Sequence, residues 1–272
     1  MGNYRRTFNE FSQKLDQEIH DKSFKGDLGA RFVVMWTLVS RIPLPKSWWP
    51  EDMPEGHRCL ALAPLAGGLM GLVSGLAVNA AAAVGLNIFA SAWVGVFVYF
   101  AAGWAIHLDG WADLWDGIGS GRTGEEMRKV MKDSHVGAFG VASLILAFGL
   151  WTMLVANISP SLRMPACITA GAAARFASAA AAYIGEYPWE DGMSRGWVDS
   201  FTPYDLFISV ICLVIFLPLS VIRFPICAVA AAVIGLAVGS HMNKRLGGVS
   251  GDVLGACAVA AELVSLAIWA AL

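Results

Sequence analysis

The chain has 272 residues, of which 57% are hydrophobic and only 15% charged, with 29 glycines. That balance excludes an ordinary soluble domain of this length and points to an integral membrane protein. A net charge of -2 excludes a generally basic binder, so no nucleic acid is expected as a partner. The five cysteines (Cys59, Cys167, Cys212, Cys227 and Cys257) contain no CxxC pair and predict neither a disulfide framework nor a zinc site.

Residues 1–27 are mixed in charge and lack an apolar core followed by a small-residue cleavage site. They read as a charged cytoplasmic extension rather than a secretory signal. Residues 28–272 then form a single membrane-embedded catalytic domain. The stretch FVVMWTLVS between Arg31 and Arg41 is short of the roughly 20 residues a crossing helix needs. The prolines of IPLP at 42–45 stop it, which predicts a re-entrant or interfacial segment. Apolar stretches long enough to cross follow at about 60–84, 88–108, 136–158, 164–185, 206–222, 224–240 and 253–272. The fold class is therefore all-α, a polytopic membrane helix bundle of about seven transmembrane helices. Small-residue stripes at Gly67, Gly71 and Gly75, and from Ala170 to Ala182, predict close helix contacts where lipid supplies no hydrophobic drive.

Sixteen of the 19 Lys and Arg residues fall in the N-terminal region and in the segments 109–135, 186–205 and 241–252. Those segments lie on one face of the bundle, and the positive-inside rule makes that face cytoplasmic. All but one of the 21 acidic residues share it. Arg175 and Glu262 are the exceptions inside spans, where ionisable groups usually face a bundle interior or a water-filled cavity.

The second span runs into HLDGWADLWDG (107–117). On a helix Asp109, Asp113 and Asp116 share one stripe, at i, i+4 and i+7. Like charges so close repel unless a cation joins them. Magnesium takes hard oxygen ligands while bridging carboxylates to substrate phosphates, so the stripe suits a diphosphate held through Mg2+. Gly110 and Gly117 are expected to leave room for a bulky ligand. His107 stands two residues before Asp109, either as a packing residue or as part of the site.

In GSGRTGEEMRKVMKDSHVGAFG (119–140), Thr123 is placed to cap a short interfacial helix whose apolar side carries Met127, Val130 and Met131. Asp133 near its end serves either as a plain cap or as a further carboxylate and proton acceptor. Arg122, Arg128, Lys129 and Lys132 supply cations that can hold phosphate oxygens. In HMNKRLGGVSGDVLG (241–255), Lys244 and Arg245 precede the glycine-rich turn at Gly247 and Gly248, and Asp252 opens the last span. Backbone amides there can cradle a phosphate, although no Walker A pattern is present.

Three segments, HLDGWADLWDG, MKDSHVGAFG and KRLGGVSGDVLG, together with SRIPLP, PLAGGLMG and Arg175, resemble the signatures of the cobalamin synthase family, the adenosylcobinamide-GDP ribazoletransferases. The likeness covers nearly the whole chain, and departs from the family pattern at YIGEYPWEDGMSRGW (183–197). It implies a magnesium-dependent enzyme of the bacterial inner (cytoplasmic) membrane with its active site facing the cytoplasm. It implies as substrates adenosylcobinamide-GDP and alpha-ribazole or its 5'-phosphate, with GMP leaving. Asp109, Asp113 and Asp116 would then hold the metal, with Asp133 or His107 as base. Arg122, Arg128, Lys132, Arg175, Lys244, Arg245, Gly247, Gly248 and Asp252 would bind substrate. Membrane lipid surrounds such a protein, and a homo-oligomer or an assembly with other cobalamin-pathway enzymes is compatible with it. D-G-x-A-D-x-x-D-G is also similar to the motif of CDP-alcohol lipid phosphotransferases, though their Arg and longer Asp spacing are missing. A metal or proton transporter is the reading from another class, and it predicts acids spread along a path to both faces.

Overall fold

A computed structural model describes residues 28–49, 58–103, 105–190, 192 and 194–272. The charged extension expected over residues 1–27 lies outside them. Among the described residues there are eleven α-helices and no strand. They are α1 (Leu28–Val39), α2 (Ala63–Ala83), α3 (Ile88–Ala102), α4 (Ile106–Gly119), α5 (Gly124–Met131), α6 (Ala138–Asn157), α7 (Pro160–Ile184), α8 (Arg195–Asp199), α9 (Pro203–Val214), α10 (Arg223–Arg245) and α11 (Gly251–Ala271).

Among the described residues, five stretches are long and apolar enough to cross a membrane: Cys59–Ala83, which joins a 3-10 turn to α2, then α6, α7, α10 and α11. The pair α3 and α4 counts as a sixth only if taken together, because the two helices meet at 95°. Two of the seven expected spans are thus corrected. The stretch 88–108 is broken after Ala102, and Ala105 sits at φ 56°, a left-handed conformation that a residue with a Cβ rarely adopts. The stretch 206–222 ends as helix at Val214 and continues as a 3-10 turn, Leu217–Leu219. Pro218 in that turn has no N–H to extend the helical ladder. The 12-residue α9 is about 18 Å long, well short of a bilayer core.

At the centre stands α7, buried from Ala166 to Ala182. Its alanines and Gly171 let neighbours approach on several sides, where packing rather than a hydrophobic drive holds helices together. A Cβ built on Gly71 of α2 would lie 2.7 Å from the carbonyl carbon of Cys167, and one on Gly67 would lie 2.7 Å from Arg175 Cδ. On another side, the Ser178 hydroxyl donates to the Leu254 carbonyl of α11 at 2.8 Å. The expected small-residue stripes are therefore helix interfaces. Phe97, Ile145, Leu146, Val229 and Val233 point outward and are exposed, which suits a lipid-facing surface.

The short α1 packs on α2 and is tied down at its end. Trp36 Nε1 donates to the Ile42 carbonyl at 2.7 Å, and the Arg41 amide donates to the Ala102 carbonyl at 2.6 Å. This agrees with a segment too short to cross by itself.

Candidate active site

The acidic helix α4 is wedged between α6 and α11. Gly110 faces Asp252 so closely that an added Cβ would lie 2.8 Å from both Asp252 Cα and the Asp252 carbonyl oxygen. One turn deeper, a Cβ on Gly255 would lie 3.2 Å from His107 Cα. The expectation that Gly110 and Gly117 make room for a ligand is corrected here. Gly110 admits the backbone of α11, while Gly117 admits Met131 and Met127 of α5, whose side chains would lie 2.8 and 2.9 Å from a Cβ. These contacts bring Asp109 and Asp113 beside Asp252, within range of one another's charge.

Helical spacing put three aspartates on one stripe, but they divide in the fold. Asp116 Oδ2 accepts the Gly137 amide at 2.7 Å and Oδ1 accepts the Gly140 amide at 2.8 Å. Both oxygens thereby satisfy amides in the first turn of α6, groups that no intrahelical carbonyl reaches. Asp116 fastens α4 to α6, and Asp109 and Asp252 are the carboxylates left lining the cavity, while Asp113 lies outside that lining but within range of their charge. Among the described residues, no three His, Cys, Asp or Glu side chains converge closely enough to enclose a metal ion. Magnesium does not require such a cage, because it usually keeps waters and binds one or two carboxylates plus substrate phosphates. The donors present, hard carboxylate oxygens with incomplete cationic compensation, fit that mode.

Burial of Met127 and Met131 orients α5 so that Arg128 and Lys132 turn toward the same mouth. Lys132 Nζ lies 3.2 Å from Asp252 Oδ2, and the Arg128 guanidinium stacks 4.5 Å from the centroid of the Trp189 ring. Thr123 occupies the cap position of α5, but its side chain accepts no capping hydrogen bond. A cavity of about 330 Å³ opens between these elements, with His107, Asp109, Arg128, Lys132, Arg175 and Asp252 on its polar side. Met35, Leu38 and Val39 of α1 and Leu60 give it an apolar wall. Across Asp109 and Leu38 it adjoins a more open, mainly apolar groove of about 720 Å³ bounded by Leu108, Val136 and Phe148.

Arg175 reaches the cavity from α7 while paired inside the bundle. Its guanidinium bonds the Tyr99 hydroxyl and lies 3.6 Å from Glu262 Oε2. Glu262 in turn accepts from Tyr99 at 3.0 Å and from Trp151 Nε1 at 3.3 Å. The two charges that the sequence placed inside spans are thus partners, and Arg175 Nε is buried with no hydrogen-bond partner.

Other expected residues have different surroundings. Asp133 is exposed and engaged with His135, whose amide and Nδ1 lie 2.9 and 2.8 Å from Oδ1. These contacts hold its carboxyl below the usual range, and it does not line the cavity. Arg245 clamps the end of α4, with Nη2 donating to the Ile118 carbonyl at 2.9 Å and Nε to the Arg122 carbonyl at 3.4 Å. Arg122 and Lys244 are exposed, outside the cavity lining. Gly247 takes φ 87°, a turn that favours glycine. Gly248 lies under Pro188, whose N would be 2.9 Å from a Cβ. In this turn the Val249 amide is already bonded to the Glu186 carbonyl at 2.8 Å, so that part of the expected phosphate cradle instead anchors the 186–197 loop.

The aromatic side chains of that segment are what sequence reasoning missed. Tyr187, Trp189 and Trp197 line the cavity together with Ser194. The available signal was three large aromatics within eleven residues of YPWEDGMSRGW (187–197), in a segment that departs from the family pattern.

Comparison with known proteins identifies the family. The model of the family described as Cobalamin-5-phosphate synthase matches residues 31–270. An adenosylcobinamide-GDP ribazoletransferase of Bradyrhizobium diazoefficiens is 32% identical over 237 residues, covering 86% of this chain and 91% of that protein. One from Citrobacter koseri is 30% identical over 244 residues, covering 86% and 97%. One from Clostridium acetobutylicum is 28% identical over 230 residues, covering 83% and 90%. No solved structure matches the chain. With the match running from α1 to the last turn of α11, the chain belongs to the cobalamin-5-phosphate synthase family.

Proposed function

We propose that this protein transfers adenosylcobinamide phosphate from adenosylcobinamide-GDP to alpha-ribazole or its 5'-phosphate. GMP leaves, and adenosylcobalamin or its 5'-phosphate forms. The observation that carries this reading is one cavity where carboxylates (Asp109, Asp252) and cations (Arg128, Lys132) meet, in a chain of this family. Opposed charges at one mouth suit a diphosphate, which needs cations on its oxygens and carboxylates for any metal that accompanies it.

In this reading Arg128 and Lys132 hold phosphate oxygens, Lys132 exchanging its contact with Asp252 for substrate. Asp109 and Asp113, with Asp252, would hold Mg2+, which when bound neutralises charge on the diphosphate. The hydroxyl oxygen of the ribazole attacks the cobinamide-linked phosphorus in line, forming a P–O bond as the bond to GMP breaks. His107, between Asp109 and the first turns of α11, is better placed than Asp133 to take the hydroxyl proton. A cavity of about 330 Å³ is at the small end of ligand pockets, so a corrinoid lies across the mouth while a nucleotide-sized portion enters. The basic face supports a site that opens to the cytoplasm of a bacterial inner membrane.

Replacing Asp113 by Asn tests the acidic site. GMP release from adenosylcobinamide-GDP and alpha-ribazole 5'-phosphate should fall by at least about 100-fold, with the same elution profile in detergent, and wild-type activity should require added magnesium. Wild-type turnover by the Asn variant would remove Asp113 from the site, and turnover in excess chelator would remove the metal.

A further inference from the structure

Three half-buried aromatic rings face inward at the cytoplasmic mouth, and the transfer chemistry does not use them. Tyr187 and Trp189 stand edge to face, with centroids 5.5 Å apart and planes at 90°, and Trp197 closes the same wall from α8. An ordinary interfacial aromatic belt points its rings toward headgroups, and Trp48 and Trp49 are exposed here. These three instead line the cavity.

The loop that carries them is held at several points. Asp199 Oδ1 accepts the Tyr187 amide at 2.8 Å, and Arg195 Nη1 donates to the Glu190 carbonyl at 2.5 Å. The Glu186 carbonyl accepts from Val249, as described above. On one side of Trp189, Arg128 is stacked 4.5 Å away, so a phosphate-binding cation and an aromatic face share one wall. Aromatic faces beside a cationic, acid-lined mouth are the arrangement that binds a flat heteroaromatic ring attached to a phosphate, by stacking that tolerates many ring types.

We propose that Trp189, with Tyr187 and Trp197 in the same lining, is a stacking wall that binds the heteroaromatic base of a substrate. This deepens the proposed transfer and rests on it for the identity of the base. The ring can be the guanine of the nucleotide-activated substrate or the benzimidazole of the ribazole.

Full-length protein in detergent is compared with Trp189→Leu and Trp189→Phe. KM is measured for each substrate, and GMP and ribose 5-phosphate binding are titrated directly. The Leu variant should weaken one base-bearing ligand by about tenfold or more, leave ribose 5-phosphate unchanged, and be largely rescued by Phe. A rise confined to the GDP substrate, with weaker GMP binding, assigns guanine. A rise confined to the ribazole, with GMP binding intact, assigns benzimidazole. Unchanged KM values and GMP affinity in the Leu variant would overturn the proposal, as would an equal loss for ribose 5-phosphate in a Leu variant that elutes like wild type. Should the Leu variant fail to fold, Trp197→Leu is read by the same criteria. Absence of turnover in wild type would count against the transfer reading alone; direct titration of both GMP and alpha-ribazole 5'-phosphate then reads the wall, and unchanged affinity for both in the Leu variant overturns it.

Discussion

Gly110 offers the sharpest perturbation, because it separates packing from charge. An alanine there places a Cβ 2.8 Å from the Cα and carbonyl oxygen of Asp252, whereas non-bonded carbons prefer about 3.5–4.0 Å. These neighbours are backbone atoms, so no side chain can swing away, and α4 and α11 must separate by roughly 0.7–1.2 Å. Overpacking of this kind costs about 1–3 kcal/mol, offset in part by up to about 1 kcal/mol of helix propensity gained over glycine. The loss of stability should therefore be modest. Activity should suffer far more, because a displacement of about 1 Å between reacting groups can cost on the order of 100-fold. The assay pairs thermal unfolding in detergent with the rate of GMP release for Gly110→Ala. Gly149→Ala in α6 serves as control, since a Cβ there meets nothing within 4 Å. A Gly110→Ala enzyme that matches the control in rate would refute the view that the α4–α11 contact sets the distance between Asp109, Asp113 and Asp252.

Three further predictions concern neighbouring side chains. Asp116→Asn keeps one acceptor for two amides and should lower stability by about 1–2 kcal/mol, seen as a reduced Tm; an unchanged Tm would argue against its role as the cap of α6. Arg245→Leu removes the clamp on the Ile118 and Arg122 carbonyls and should cost about 1 kcal/mol, with Lys restoring part of it; full stability in the Leu variant would show that α4 needs no such clamp. Glu262→Leu strands Arg175 among buried groups and should cost about 3–5 kcal/mol, while the double change with Arg175→Met should recover most of that loss. Additive losses in the double variant would mean that the two charges act independently.

The architecture was legible where composition decides it. Apolar runs and their Gly and Ala stripes located α2, α6, α7, α10 and α11, because lipid solvation demands long apolar helices with small contact residues. The break at Ala105 and the early end of α9 were less visible, since both depend on local backbone geometry within apolar sequence. In the site, helical spacing brought Asp109, Asp113 and Asp116 onto one stripe but was silent about which neighbour each would meet. Asp116 was drawn to α6 because the Gly137 and Gly140 amides need acceptors. Asp252, more than 130 residues away in the chain, became the third mouth carboxylate through contact at Gly110. Tyr187 and Trp189 could not be placed from sequence, because their loop is positioned by Val249 and Asp199, partners that periodicity does not indicate.

The most direct test of the account is GMP release by the purified full-length protein in detergent, supplied with adenosylcobinamide-GDP and alpha-ribazole 5'-phosphate. The account predicts GMP and adenosylcobalamin 5'-phosphate in equal amounts, each appearing only when both substrates are present. Folded protein that forms neither product, while transferring a phosphoalcohol from a CDP-activated lipid, would contradict it.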